Sequence, residues 1–168
     1  DEPLPTRTDQ IWVGDLTYLR LGKRWRYLAT VMDLFSRRIV GWTLAHNRTT
    51  EVTLRALKRA IAARSPQPGL LFHSDRGIEY SAYGYQDYLK ANGIVPSMNR
   101  PRHCQDNAHM ESFFHSLKAE LTHHRSYASD LELNASVAGY IERFYNEKRI
   151  HSSLGYHSPV EFECLAHA

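Results

Sequence analysis

Three acidic residues in separate parts of the chain could together act on a phosphodiester. Asp15 lies inside an apolar segment, Asp75 ends a short apolar run, and Glu111 lies in a segment with helical periodicity. Carboxylate oxygens are ligands that Mg²⁺ prefers, and the ion keeps waters that substrate phosphates can replace. Two such ions about 4 Å apart stabilise the attacking and leaving oxygens of an in-line phosphoryl substitution. The three carboxylates therefore predict a Mg²⁺ or Mn²⁺ site for phosphoryl transfer, provided that the fold brings them together.

Each of these acids also has an ordinary structural interpretation. Asp15 could pair with an arginine, because an unpaired buried carboxylate is costly. Asp75 could cap a turn before Gly77, and Glu111 could be a surface residue. Asp33 precedes a turn, and we expect it to cap that turn. The residues by themselves leave these alternatives open beside the catalytic one.

The segment around Glu111 predicts a helix that begins near Asp106. Its apolar stripe consists of Met110, Phe113, Phe114, Leu117 and Leu121. Glu111 falls off this stripe, so the helix can direct it towards the edge of a sheet. Asn107, His115 and Lys118 share the side of Glu111, at spacings of four, four and seven residues. They are candidate contacts to a phosphate-bearing substrate, and an ordinary surface position is the alternative for His115.

The segments before residue 65 predict three strands and one helix. Apolar alternation and β-branched or aromatic residues predict strands over 11–20, 24–34 and 37–45, the last two joined as a hairpin through Phe35-Ser36. Helical spacing covers 49–64, and the prolines and glycine that follow end the helix.

The remaining segments alternate strands with helices. We expect a strand over 70–75, a helix over 83–93, a strand over 94–98, a loop over 99–105, and helices over about 106–122 and 130–148. This order predicts an α/β fold with a mixed five-stranded sheet and helices on both faces, the ribonuclease H-like architecture. Several other α/β folds share the order. Asp75 would end a parallel strand, where open α/β sheets place their ligand sites.

Composition favours one ordinary globular domain. The 168 residues are 42% hydrophobic and 23% charged, and the net charge of +3 permits nucleic-acid binding without requiring it. No apolar stretch reaches the roughly 18 residues that span a bilayer, and no signal peptide is recognisable. We therefore expect a cytoplasmic protein. Residues 1–9 read as a linker, and residues 10–168 as a catalytic core with a C-terminal helical tail.

Five ordered segments resemble the integrase core of the insertion-sequence-three family of bacterial transposases, and more distantly the retroviral integrases. The segments are residues 12–19, 32–42, 72–80, 106–121 and 145–162. The 35 residues between Asp75 and Glu111 (76–110) match the spacing typical of that family. The resemblance extends from about residue 10 to 163.

The resemblance implies a ribonuclease H-like fold and a DDE-type transposase or integrase with Asp15, Asp75 and Glu111 as its catalytic, metal-binding residues. It implies Mg²⁺ or Mn²⁺, with two ions once DNA is bound. In the implied reaction, water cleaves at a transposon end to free a 3′-hydroxyl, which then attacks another phosphodiester. Lys118 matches a position where a basic residue contacts DNA. The implied partners are transposon-end and target DNA and further copies of the chain, with a helix-turn-helix region upstream.

One departure from the family lies in the loop before the last catalytic helix. Family members often carry a lysine and a Gly-Asn pair there, whereas this chain has Pro101-Arg102-His103. We expect a stiffer and more basic loop, and Arg102 is a fourth candidate DNA contact.

Two other functions remain open at this point. One is a catalytically incomplete fragment that only binds DNA or self-associates, and the other is a ribonuclease H-like nuclease. The intact acids argue against the first, and the tail sequence over 151–159 favours transposases over the second.

In the C-terminal tail, we expect five residues to dock the last helix against the core: Tyr145, Asn146, Arg149, His151 and Tyr156.

Overall fold

The computed structural model describes residues 4–75, 77–98, 105–123 and 125–168. The strands are β1 (Ile11–Leu21), β2 (Arg24–Asp33), β3 (Ile39–Ala45), β4 (Leu71–Ser74) and β5 (Val95–Met98). The α-helices are α1 (Thr50–Arg64), α2 (Ile78–Ser81), α3 (Tyr83–Ala91), α4 (Gln105–Leu117), α5 (Asp130–Ala138) and α6 (Pro159–Ala166). Wider π-helical turns continue α4 over Lys118–Thr122 and α5 over Gly139–Tyr145, and a short 3₁₀ helix covers Ser152–Leu154.

The five strands form one mixed sheet in the order β3-β2-β1-β4-β5. β1 pairs antiparallel with β2, and β2 with β3, whereas β4 pairs parallel with β1 and with β5. The two parallel connections run through helices, as crossovers between parallel strands require. This topology confirms the predicted mixed five-stranded sheet.

Helices cover both faces of the sheet, so the fold has two hydrophobic cores. The core under α4 and α5 includes Val13, Leu28, Met110, Phe113, Leu133 and Ile141. The core under α1 and α3 includes Trp12, Val31, Leu57, Phe72, Tyr85 and Leu89. Neighbouring residues Trp12 and Val13 belong to opposite cores because successive side chains of a strand point to opposite faces. Four residues of the predicted stripe, Met110, Phe113, Phe114 and Leu117, are buried on α4, whereas Leu121 lies in the π-helical turn and is only partly buried against the same core.

The hairpin between β2 and β3 turns over a longer segment than predicted. β3 begins at Ile39 rather than at residue 37. The Asp33 carboxylate accepts the backbone N–H of Phe35 at 2.9 Å, so Asp33 caps the turn as expected. Arg37 takes a positive φ of 63°, which strand pairing excludes.

The tail docks on the sheet mostly as expected. Asn146 is buried and makes two hydrogen bonds of 3.0 Å with the backbone of Ile39, one to its N–H and one to its carbonyl. Tyr145 is also buried, but Tyr156 is 70% exposed, so its predicted docking role is wrong. Tyr156 follows Gly155 in a turn and has a φ of 62°, which directs its ring away from the core.

Helices α2 and α6 are additions to the predicted elements. The sequence carries a signal for α6, because Ser158 and Glu161 form a capping box and Pro159 occupies the first helical turn. None of the helices in the described ranges has the length and apolar character needed to cross a membrane.

Candidate active site

The register of β1 and β4 places Asp15 and Asp75 beside each other. Gly14 pairs with Ser74, the last residue of β4, so Asp15 on β1 lies close to Asp75, the first residue after β4. Val13 belongs to the core under α4. By the alternation of strand side chains, Asp15 points to that same face.

Helix α4 brings Glu111 to this face. Thr30 lies directly opposite Asp15 in the β1–β2 ladder, and its hydroxyl lies 3.1 Å from Sδ of Met110. Glu111 follows Met110 and is exposed. The helix therefore buries its stripe on the sheet and leaves Glu111 at the solvent-facing edge of the acidic region, as predicted.

The three acids act electrostatically on one another. Burial raises the pKa of Asp15 to about 6, while the backbone N–H of Leu16, 2.7 Å from its Oδ1, works in the opposite direction. The negative charges of Asp75 and Glu111 raise the pKa of Asp15 further. Like charges gathered in one partly buried region repel each other until a cation joins them.

The acids do not close into a single coordinating cluster. Across the parts of the chain that the structure describes, no three His, Cys, Asp or Glu side chains are near enough to hold one metal ion jointly. Asp75 also accepts the N–H of Gly77 at 2.8 Å, which is the turn cap considered from the sequence. A carboxylate has two oxygens and about four acceptor sites, so this cap is compatible with metal binding.

The donor chemistry of the three acids fits a divalent cation. All three are carboxylates, the oxygen ligands of Mg²⁺ and Mn²⁺. The negative charges of Asp75 and Glu111, which add to the effect of burial on the pKa of Asp15, would be offset by a bound cation. Asp15, Asp75 and Glu111 are thus the residues that would hold the ion.

A charged pair that the sequence analysis did not identify lies next to the acids. Arg48, between β3 and α1, forms a salt bridge with the buried carboxylate of Glu79 on α2. The positive charge of Arg48 lowers the pKa of Asp15. The pKa of Arg48 itself is raised, mainly by its hydrogen bond to Glu79. Because 31 positions separate the two residues, no local sequence pattern indicates this pair.

Gly77 lets the acidic side chains gather. A Cβ atom at this position would lie 2.8 Å from Oδ1 of Asp75 and 2.7 Å from Oε2 of Glu79. Contacts this short do not occur in folded proteins, so any larger residue would push the carboxylates apart. Because both contacted oxygens are at the ends of flexible side chains, a larger residue at this position would displace the two carboxylates.

The four candidate DNA contacts lie in different environments. Nζ of Lys118 lies 4.6 Å from the ring centroid of Tyr18 on β1, and burial lowers the pKa of Lys118. Asn107 is half-buried, and its Oδ1 has no hydrogen-bond partner among the described residues. His115 is exposed. Arg102 lies outside the described residues.

Comparison with protein families gives two matches of the same description. One model, described as an integrase core domain, matches residues 5–104. A second model, also described as an integrase core domain, matches residues 92–159. Together they extend over the sheet and over α4 and α5.

Several curated proteins are similar in sequence. The transposase InsF of insertion sequence IS3A from Escherichia coli K12 is 42% identical over 155 residues, which is 92% of this chain and 54% of that protein. The transposase of insertion sequence IS904 from Lactococcus lactis is 39% identical over 158 residues, 94% of this chain and 62% of that protein. A 31 kDa protein of insertion element IS600 from Shigella sonnei is 41% identical over 94% of this chain and 58% of its own length. The chain thus spans little more than half of these relatives.

Solved structures of retroviral integrases share the fold. The HTLV-2 integrase catalytic core in complex with magnesium, in a trimeric form, has a TM-score of 0.70 at 17% identity, covering 94% of this chain and 98% of that one. A chain of the simian T-cell lymphotropic virus intasome has a TM-score of 0.77 at 16% identity, covering 96% of this chain and 56% of that one. These likenesses establish the ribonuclease H-like fold.

Proposed function

This chain belongs to the integrase core domain family, and from that premise we propose that it is the catalytic domain of a DDE-type transposase. It cleaves DNA at transposon ends to free a 3′-hydroxyl and joins that end to target DNA. The observation that carries the proposal is the gathering of three carboxylates from β1, the end of β4 and α4 at one edge of the sheet.

Asp15, Asp75 and Glu111 would hold two Mg²⁺ or Mn²⁺ ions once DNA is bound. The bound metal supplies charge stabilisation at the attacking and leaving oxygens of the phosphodiester. Asp15 is half-buried, and its backbone pairs with β2 within the sheet, so the position of its carboxylate is restricted. Glu111, exposed on α4, faces the side from which DNA would approach.

The relatives support both the reaction and the cofactor. Two of the similar curated proteins are transposases of insertion sequences. The HTLV-2 integrase core was solved with magnesium in dimeric and trimeric forms. By analogy we propose DNA as the substrate and a homo-oligomer as the assembly that acts on it. The region that recognises the transposon ends would lie upstream of this chain.

A plasmid-nicking assay tests the proposal without knowledge of the cognate ends. Supercoiled DNA is incubated with the chain in Mn²⁺ or in EDTA, and relaxed circles are quantified on a gel. We expect nicking in Mn²⁺ only. Asp15→Asn, Asp75→Asn and Glu111→Gln should each abolish it while circular dichroism remains unchanged. Glu147→Gln, which neutralises an exposed acid on the tail, is the matched control and should keep wild-type activity.

Nicking, DNA binding and cleavage of an RNA–DNA hybrid together separate the proposed transposase from a catalytically incomplete fragment and from a ribonuclease H-like nuclease. Nicking that persists at the wild-type rate in any of the three acid variants would contradict the triad. DNA binding without nicking in Mn²⁺ would indicate a catalytically incomplete fragment. Preferential cleavage of the RNA strand of an RNA–DNA hybrid would indicate a ribonuclease H-like nuclease.

A further inference from the structure

A polar cavity of about 110 Å³ lies on the side of α4 away from Glu111. Its lining includes Arg37, Arg149, His151, Ser112, Ser116 and Ser153. This volume is well above the roughly 10–15 Å³ that one water molecule needs, so a tetrahedral oxyanion can enter. The lining brings together the turn between β2 and β3, helix α4 and the C-terminal tail.

The helical positions separate this cavity from the acidic residues. At 100° per residue, Ser112 and Ser116 lie about 100° and 140° round the helix from Glu111. One side of α4 therefore presents a carboxylate towards the candidate active site. Another side presents two hydroxyls to the basic cavity.

Arg37 forms no salt bridge with any of the residues that the structure describes, although the charge of Asp33 acts on it. Its Nε atom is buried and has no hydrogen-bond partner among the described residues. Burial lowers the pKa of Arg37, and the negative charge of Asp33 only partly offsets this effect. Its backbone also takes the left-handed conformation, with a φ of 63°. Such strain in a residue other than glycine is often retained for a functional reason.

Arg149 and His151 contribute donors from the tail. The Arg149 guanidinium is held by Glu120 at 3.0 Å and by Oγ of Ser116 at 3.3 Å, which fixes it at the cavity wall. Nε2 of His151 is buried, with no partner in the ranges that the structure describes. The His151 ring packs edge-on against Tyr145, at 5.1 Å between centroids, so its position is fixed too.

We propose that this cavity binds a phosphate group, supplied either by a DNA backbone or by a free phosphate ion. A guanidinium group presents donors in a fork that matches phosphate oxygens, and hydroxyl and imidazole groups complete the set. An entering dianion would neutralise the uncompensated charge of Arg37 and satisfy the buried Nε atoms of Arg37 and His151. Only the DNA source rests on the proposed function, since binding of a free phosphate ion requires no transposase activity.

Nuclear magnetic resonance titrations of the 168-residue chain test the proposal directly. Sodium phosphate is added at constant ionic strength, with sodium chloride as the reference salt, and the side-chain signals of Arg37 Nε–H and the His151 ring are followed. We expect saturable shifts with phosphate and none with chloride. Absence of phosphate-specific shifts at both residues would overturn the proposal.

Two variants and a control connect the shifts to the cavity. Arg37→Gln removes the uncompensated charge, and Ser112→Glu places a carboxylate at the exposed rim of the cavity without disturbing the core. Both should lose the saturable shift of His151. Arg143→Gln removes an exposed arginine that does not line the cavity, and it should keep the shift. Retention of the His151 shift in Arg37→Gln and Ser112→Glu would overturn the proposal.

A short DNA duplex in place of phosphate identifies the source. If a backbone phosphate is the occupant, the duplex shifts the same two signals, and added phosphate competes with it. In that case, Arg37→Gln makes the fall of log K for DNA binding with the logarithm of salt concentration less steep, by about one. Response to phosphate but not to the duplex assigns the cavity to a free phosphate ion. Because these readouts do not involve cleavage, a chain inactive in the nicking assay can still pass or fail them.

Discussion

The position of the Lys118 side chain is set by an aromatic ring on β1. Its ammonium group lies over the ring of Tyr18, which is itself 54% exposed and packs edge-on against Trp25. A cation over an aromatic face is attracted by the ring electrons, by about 0.5–1 kcal/mol at exposed sites. This contact restricts the flexible lysine chain and keeps its charge beside β1.

We predict that Lys118→Ala weakens binding of a DNA duplex and lowers the salt slope of the affinity by about one, because one phosphate contact is lost. Tyr18→Leu removes the ring but keeps the charge, so it should weaken binding with the salt slope unchanged. Fluorescence anisotropy at several salt concentrations measures both quantities.

Lys148→Ala is the matched control for this prediction, since Lys148 is an exposed lysine on the tail. It should leave the affinity near the wild-type value. A Lys118→Ala variant with an unchanged salt slope would show that Lys118 does not contact a phosphate.

At the scale of elements, a buried group of charges joins the two ends of the chain to the sheet. Arg64, at the end of α1, contacts the carboxylates of Asp9 at 2.9 Å, Asp33 at 3.3 Å and Glu163 of α6 at 2.9 Å. Glu163 also accepts hydrogen bonds from Ser36 and Arg38, both at 2.7 Å. The end of the predicted linker is thus attached to the domain, and α6 is fixed to the turn between β2 and β3.

Two acids of this group have pKa shifts of opposite direction. Burial raises the pKa of Asp33 to about 6, although the N–H groups of Asp9 and Phe35 act against it. Burial would also raise the pKa of Glu163, but bonds from Arg64, Ser36 and Arg38 outweigh it and hold that pKa below its ordinary 4.5. Protonation of Asp33 near pH 6 therefore favours the folded state, whereas protonation of Glu163 disfavours it.

We predict that Glu163→Gln lowers the free energy of unfolding at pH 7 by about 1.5–3 kcal/mol, because charged hydrogen bonds to Arg64 and Arg38 are lost while Arg64 keeps Asp9 and Asp33. The stabilisation from ionised Glu163 is present above its unfolded pKa of 4.5 and is lost as the pH falls through its lower folded value. The difference between wild type and variant should therefore shrink below pH 4.5. Urea unfolding at pH 7 and at pH 3.5 measures it.

Glu147→Gln serves again as the exposed control, and its effect should stay within about 0.5 kcal/mol. A Glu163→Gln variant as stable as this control at pH 7 would mean that the ion group does not hold α6 in place.

Repulsion among the acidic residues lowers the stability of the metal-free folded domain. The backbone brings Asp15, Asp75 and Glu111 together from β1, the end of β4 and α4, and the resulting repulsion contributes to the raised pKa of Asp15. The unfolded chain separates the three charges. Cations that bind the acids in the folded state should therefore stabilise it.

We predict that Mg²⁺ or Mn²⁺ raises the melting temperature. At ten times the dissociation constant the gain is about 1.4 kcal/mol, or roughly 3–6 °C for a domain of this size. Asp75→Asn should leave the metal-free domain at least as stable, because the asparagine oxygen can still accept the N–H of Gly77 while one negative charge is removed. The metal-induced shift should be smaller in this variant.

Thermal melts of both proteins in EDTA and in Mn²⁺ provide the measurement. A wild type that does not respond to saturating Mn²⁺, together with a destabilised Asp75→Asn, would reduce Asp75 to a turn cap and refute the metal site.

Features that depend on local periodicity could be predicted from the sequence alone. Alternation along β1 and the stripe of α4 predicted which side chains are buried, and Glu111 is exposed because it falls off that stripe. The cap formed by Asp33 was predicted because a carboxylate can bond to an N–H two residues away. Helix α6 was not predicted, although its capping box, Ser158 to Glu161, is a local signal within four residues.

Contacts between distant residues could not be predicted from any one segment of the sequence. The register of β1 on β4 sets Asp15 beside Asp75, and the pairs Arg48–Glu79 and Arg64–Glu163 join residues 31 and 99 positions apart. The exposure of Tyr156 was likewise decided by the turn that carries it. A local pattern specifies the face that each element buries. The partner of a charged side chain depends on how several elements pack together, and no single segment contains that information.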